Sequence, residues 1–166
     1  MERGDDLNEE RLRILGRYLA DLSLVETVQY FPSEKEDRVV AAFDHRYYPD
    51  VVDASRLELR LRLNGDFNVQ YFEEWAGEQW SCRWDRHPNT HNTRDHFHVP
   101  PTPSEAAAVD ASYPPDPTAV LRCVLETVER RINDLWTATT DPVFPSEYAF
   151  AGEYGASYLD GDHGSS

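Results

Sequence analysis

The sequence predicts an α+β domain: an antiparallel sheet of about five or six strands, with an N-terminal helix and a long C-terminal helix packed on one face. Three observations carry this. Arg56–Leu63 alternates Leu57, Leu59, Leu61 and Leu63 with Arg56, Glu58, Arg60 and Arg62, a strict period of two. Leu12, Leu15, Leu19 and Leu22 recur at helical spacing near the start, and Val120, Leu121, Val124, Leu125, Val128, Ile132 and Leu135 do so later. The chain has 166 residues, 40% of them hydrophobic, which is the size and composition of one domain with its own core.

The first helix spans Asn8 to Leu22, with Asp5, Asp6 or Asn8 as N-cap. Strands are predicted over Leu24 to Phe31 and Arg38 to Tyr48, separated by the acidic turn Ser33 to Asp37. The Arg56–Leu63 strand turns back at Asn64-Gly65-Asp66. A two-residue turn at Asn64-Gly65 would set Leu63 against Asp66 and Leu61 against Asn68. A three-residue loop instead pairs Leu63 with Phe67, Leu61 with Val69 and Leu59 with Tyr71, which keeps the apolar side chains together, and sets Arg62 and Arg60 opposite Asn68 and Gln70.

The next strand, about Gln79 to His87, puts Trp80, Cys82 and Trp84 on one side and Ser81, Arg83, Asp85 and His87 on the other. A polar loop, Pro88 to Arg94, leads to Asp95–Val99, where His96 and His98 share a face opposite Phe97. Pro100, Pro101 and Pro103 stop the sheet, an alanine-rich stretch follows, and Asp116-Pro117 reads as an N-cap with proline at the first helical position. The final helix runs to about Trp136. The domain is thus 1–136, with 137–166 an acidic tail expected to be disordered, rich in aromatics at Phe144, Tyr148, Phe150, Tyr154 and Tyr158.

The formal net charge is -15, and of the 16 basic residues only Lys35 is lysine. That balance is similar to proteins of salt-in halophilic archaea, so the acidity describes a solvent more than a partner. It is also uneven. Residues 1–37 carry 5 bases and 10 acids, residues 38–98 carry 8 and 10, and residues 99–166 carry 3 and 11. The nearly balanced middle holds His45, His87, His91, His96 and His98. Cys82 and Cys123 fall in apolar segments and are spaced neither as a disulfide framework nor as a paired-cysteine metal site. With no apolar run of membrane length and no basic-then-apolar leader, a cytoplasmic protein with reduced cysteines is expected.

Chemistry concentrates in Arg83-Trp84-Asp85-Arg86-His87-Pro88 and Thr93-Arg94-Asp95-His96-Phe97-His98. For phosphodiester cleavage, histidine transfers protons near neutral pH, arginine holds phosphate and aspartate orients an imidazole. For a metal site, His87, His91, His96 and His98 with Asp85 or Asp95 supply enough ligands, although the spacing matches no helical zinc motif. Read as polar-face residues of a sheet, the same side chains would pair with one another, Asp85 with Arg83 or Arg94. Arg60, Arg62 and Arg83 could track phosphates, with Tyr47, Tyr48 or Trp75 for base stacking; pairing of strand arginines with Glu58 and Glu74 is the plainer expectation. No phosphate-binding glycine loop or Ser-His-Asp motif is present.

The order Arg83-Trp84-Asp85, Pro88, His91 and then His96-x-His98 ahead of a proline resembles the TumE-type toxins of prokaryotic toxin–antitoxin systems, whose pattern reads approximately Arg-Tyr-Asp-Asn-x-Pro-His followed by a terminal His-x-His. Arg86 stands where that pattern has asparagine, and His87 precedes the proline instead of following it. The motif resemblance spans roughly residues 38 to 136. It implies a toxin with a cognate antitoxin partner that acts on RNA. Joined to the chemistry above, the expectation is a metal-independent ribonuclease without cofactor, with His96 and His98 as base and acid and Asp85 as the orienting group. Arg83, Arg94, His87 and His91 are the expected substrate contacts. The alternative is a non-catalytic binding protein whose histidine cluster holds zinc or forms an interaction surface.

Overall fold

The computed structural model describes residues 8–31, 38–88, 94–102 and 108–137. The expected Ser33–Asp37 turn, most of the Pro88–Arg94 loop with His91, and the tail from residue 138 lie outside the described residues.

The chain forms α1 (Glu9–Ala20), then β1 (Val25–Phe31), β2 (Arg38–Phe43), β3 (Ala54–Leu61), β4 (Phe67–Trp75), β5 (Glu78–Arg86), β6 (Asp95–His98) and β7 (Ala108–Asp110), and ends in α2 (Pro117–Thr137). Among the described residues the sheet has seven strands in sequence order, each antiparallel to its neighbours. The strand beyond the expected five or six includes β7, whose Ala108-Val109-Asp110 is too short to display a period. Short connections make the meander, since antiparallel neighbours need no crossover.

Each helix begins as its sequence dictates. Asn8 caps α1, its side chain accepting from the Arg11 N–H at 3.1 Å. Proline opens α2, and the Asp116 carbonyl accepts the first helical bond from Val120. Leu12, Leu15 and Leu19 of α1 and Val120, Leu121, Val124, Val128 and Leu135 of α2 pack into one core with Leu57, Leu59, Leu61, Val69, Tyr71, Trp80, Cys82, Trp84 and Phe97 of the sheet. An Arg11–Asp116 pair at 2.6 Å joins the starts of the two helices. Among the described residues no helix is long and apolar enough to cross a membrane.

Two expectations change. The strand from Arg38 stops at Phe43, because Asp44 accepts from the Arg46 N–H (2.9 Å) and turns His45–Tyr47 into a short 3-10 helix. Tyr47 is consequently exposed while Tyr48 is buried and bonded to the Tyr71 hydroxyl at 2.8 Å. The β3–β4 register is also displaced by two residues from the one expected: Leu61 pairs with Phe67, Leu59 with Val69 and Leu57 with Tyr71. A shift of two leaves every side chain on its face, so hydrophobic alternation is blind to it. The turn settles it. Arg62 N–H donates to the Asp66 carbonyl, Asn64 Oδ1 accepts from the Asp66 N–H, and Gly65 takes φ +92°, leaving Leu63 in the turn and 52% exposed.

Inside the core lies an ion pair that the sequence reading missed. Arg131 of α2 donates from Nε (2.8 Å) and Nη2 (2.7 Å) to Glu73 of β4, which also accepts from the Tyr71 hydroxyl and the Trp75 indole. The guanidinium lies 3.6 Å from the centre of the Trp80 ring. A charged pair this deep requires all of these partners, because desolvation offsets the attraction between the charges alone.

Candidate functional site

The face of the sheet away from the helices carries the polar members of each strand. Cross-strand pairing builds rows of them: Arg60, Asn68, Asp85, His96 and Asp110 form one, and Glu58, Gln70, Arg83, His98 and Ala108 the next. The period-two pattern of β5 therefore delivers Arg83 and Asp85 directly opposite His98 and His96 of β6. Asp110 joins the row through β7, and the sequence offered no signal for it beyond an acid ending an alanine-rich stretch.

At the centre is the Asp85 carboxylate, 1% exposed. Arg83 Nε donates to both of its oxygens (2.8 and 3.0 Å). Around Oδ2 stand three imidazole Nε2 atoms: His98 at 3.1 Å, His87 at 3.2 Å and His96 at 3.6 Å. The rings of His87 and His96 meet edge to face, as do those of His96 and His98. Burial pushes the Asp85 carboxyl up, but the hydrogen bond from His98 and the charge and hydrogen bond of Arg83 outweigh it and hold the group below its ordinary range. Asp85 is thus a fixed anion at neutral pH.

The far nitrogens fix two of the rings. His87 Nδ1 faces the Pro88 carbonyl (2.9 Å) and His96 Nδ1 the Arg94 carbonyl (3.2 Å). A carbonyl only accepts, so in each ring Nδ1 carries the proton and Nε2 is left to face Asp85. His98 Nε2 lies 3.1 Å from both Arg83 Nη2 and Asp85 Oδ2, accepting from the first when neutral and donating to the second when protonated.

Exposure divides the cluster. His96 and His98 are fully buried, whereas the His87 side chain is 39% exposed and that of Arg83 28%. A solvent-borne ligand meets His87 and Arg83 first.

Of the two arginines weighed as partners of Asp85, Arg83 is the one that pairs with it, and Arg94 points to the β3–β4 turn, with Nε 3.1 Å from Asp66 Oδ1. It lines an open groove of about 510 Å³ with Asn64, Gly65, Arg86 and Asp95. Arg86 is structural: it grips Asp95 at 2.6 and 2.9 Å and the Tyr113 carbonyl at 3.0 Å. Tyr48 and Trp75 are buried in the core and cannot stack bases; Tyr47 is exposed. Glu58 and Glu74 pair with Arg56 (2.8 and 3.4 Å), a strand arginine outside the three weighed as phosphate contacts. Cys82 is buried and free, and burial pushes its thiol up.

A family model described as toxin TumE matches residues 15–132. The match begins inside α1 and ends inside α2, so it includes the second half of the first helix, which the motif resemblance left out. No curated protein and no solved structure matches the chain.

Proposed function

The chain belongs to the TumE toxin family, and from that premise we propose that it is the toxin of a toxin–antitoxin pair and cleaves RNA by proton transfer at the Asp85 cluster. The observation that carries the reading is the convergence of three imidazole Nε2 atoms on one buried carboxylate oxygen, with His87 and the phosphate-binding type of side chain, Arg83, at the solvent edge.

In this reading Arg83 holds the phosphate, and neutral His87 takes the proton of the ribose 2′-hydroxyl as that oxygen attacks phosphorus. The 5′-oxygen leaves with the proton returned by His87, giving a 2′,3′-cyclic phosphate and a 5′-hydroxyl. The proton roles first assigned to His96 and His98 pass to His87 because it alone of the three is exposed. His96 and His98 become positioning residues that hold Asp85, and Asp85 stabilises the imidazolium that His87 becomes on taking the proton. Arg94 and His91 remain proposed contacts to more distant parts of the RNA, Arg94 through the groove beside Asp66. No metal ion takes part in this chemistry.

The acidic flanks fit a cytoplasm of high salt, where ionic attraction to RNA is screened and hydrogen bonds and stacking carry recognition. The test is inducible expression. Wild type arrests growth and fragments cellular RNA, an antitoxin encoded beside it relieves both, and His87→Ala and Arg83→Ala do neither while remaining folded. Arrest without RNA fragmentation, or arrest by His87→Ala, overturns the reading.

A further inference from the structure

We propose that Asp85, His87 and His96 also form a binding site for a divalent transition metal ion of the zinc type, and that the ion silences the cluster. The argument starts from lone pairs. With Nδ1 of His87 and of His96 each committed to a backbone carbonyl, a neutral ring presents an unprotonated Nε2. Both Nε2 atoms are aimed at Asp85 Oδ2, itself an acceptor, at 3.2 and 3.6 Å. Two imidazole nitrogens and a carboxylate oxygen directed at one another are the donor set that a divalent cation of the zinc type takes.

The distances suit the cation. Tetrahedral zinc with bonds of about 2.0–2.2 Å holds its ligand atoms roughly 3.2–3.6 Å apart. The His87, His96 and Asp85 ligand atoms all lie within 4.8 Å of one another, and the two contacts to Oδ2 are already in that range. An imidazole that binds metal through Nε2 characteristically donates Nδ1–H to a carbonyl, which fixes its tautomer and orientation, and both rings do so here. Arg83, which donates to both carboxylate oxygens, and His98, 3.1 Å from Oδ2, fix the orientation of the carboxylate. Three protein ligands leave a fourth coordination position for water or another ligand. In such a complex the lone pair that would accept the ribose proton is occupied. The silencing part of the inference rests on the cleavage reading above; the binding part does not.

The experiment uses the purified full chain, stripped of metal with a chelator, titrated with zinc against a chromogenic competitor and assayed in parallel on single-stranded RNA. The expected result is one equivalent bound per chain, and cleavage falling with the same midpoint as occupancy. Affinity should drop at least about tenfold in His87→Ala and in Asp85→Asn. His45→Ala, which changes an exposed histidine outside the cluster, should bind as wild type does. Circular dichroism of each variant shows that the fold persists. No binding, or equal binding by wild type and His87→Ala, overturns the site. Binding that leaves cleavage unchanged or raises it overturns the silencing. A stripped chain that binds zinc but never cuts RNA refutes the cleavage reading and leaves the metal site standing.

Discussion

Glu73 and Arg131 face each other across the interface between sheet and helix, joined at 2.8 and 2.7 Å with both side chains out of contact with solvent. Removing either charge strands the other in the core. Glu73→Leu and Arg131→Met should each cost about 3–5 kcal/mol, whereas the double replacement Glu73→Leu with Arg131→Met should cost less than the two single changes together. Urea unfolding of the three variants checks this; a double variant no more stable than the sum of the singles contradicts it.

The turn between β4 and β5 holds Ala76 at φ +26° ahead of Gly77 at φ +90°. An alanine is strained there, and asparagine is the residue such two-residue hairpins favour. Ala76→Asn should stabilise the protein by about 0.5–1 kcal/mol, read as a rise in the urea midpoint. An unchanged or lower midpoint would contradict the strain.

The β3–β4 register makes opposite predictions for neighbouring leucines. Leu63, in the turn, should tolerate Ala within about 0.5 kcal/mol, while Leu61→Ala should cost about 2–5 kcal/mol because Leu61 is 2% exposed and packed in the core. Equal costs would restore the register that the alternation first suggested.

Asp44 should titrate at about 2, held down first by the hydrogen bond from the Arg46 guanidinium and then by the Arg46 N–H. Its folded value lies below the unfolded one, so its contribution to stability is complete above about pH 4 and is lost as pH falls through about 2. Arg46→Ala should raise the carboxyl value, visible in the side-chain carboxyl shift of Asp44 by NMR; a value that stays near 2 in the variant contradicts the cause.

Period two and helical spacing were enough to place both helices, six of the strands and the face on which His96, His98, Arg83 and Asp85 meet. Three features escaped for separate reasons. An even shift of register preserves alternation, so the leucines of β3 could not choose between two pairings that the Asn64–Asp66 turn distinguishes. Periodicity assigns a face but not a depth, so it placed His96 and His98 with His87 without showing that only His87 is exposed. Glu73 and Arg131 did leave a signal: Glu73 has the parity of Val69, Tyr71 and Trp75, and Arg131 sits in the stripe of Val128, Ile132 and Leu135. Opposite charges on two core-facing stripes are most simply satisfied by each other.

The central claim is that His87, held by Asp85, is the proton carrier that meets RNA. It is tested most directly by the rate at which the purified chain cuts single-stranded RNA at neutral pH in the presence of a metal chelator. Wild type and His45→Ala should cut at the same rate and leave 2′,3′-cyclic phosphate ends, and His87→Ala should be slower by about 10²-fold or more with its fold intact. Undiminished cutting by His87→Ala, or no cutting by the wild-type chain, would contradict it.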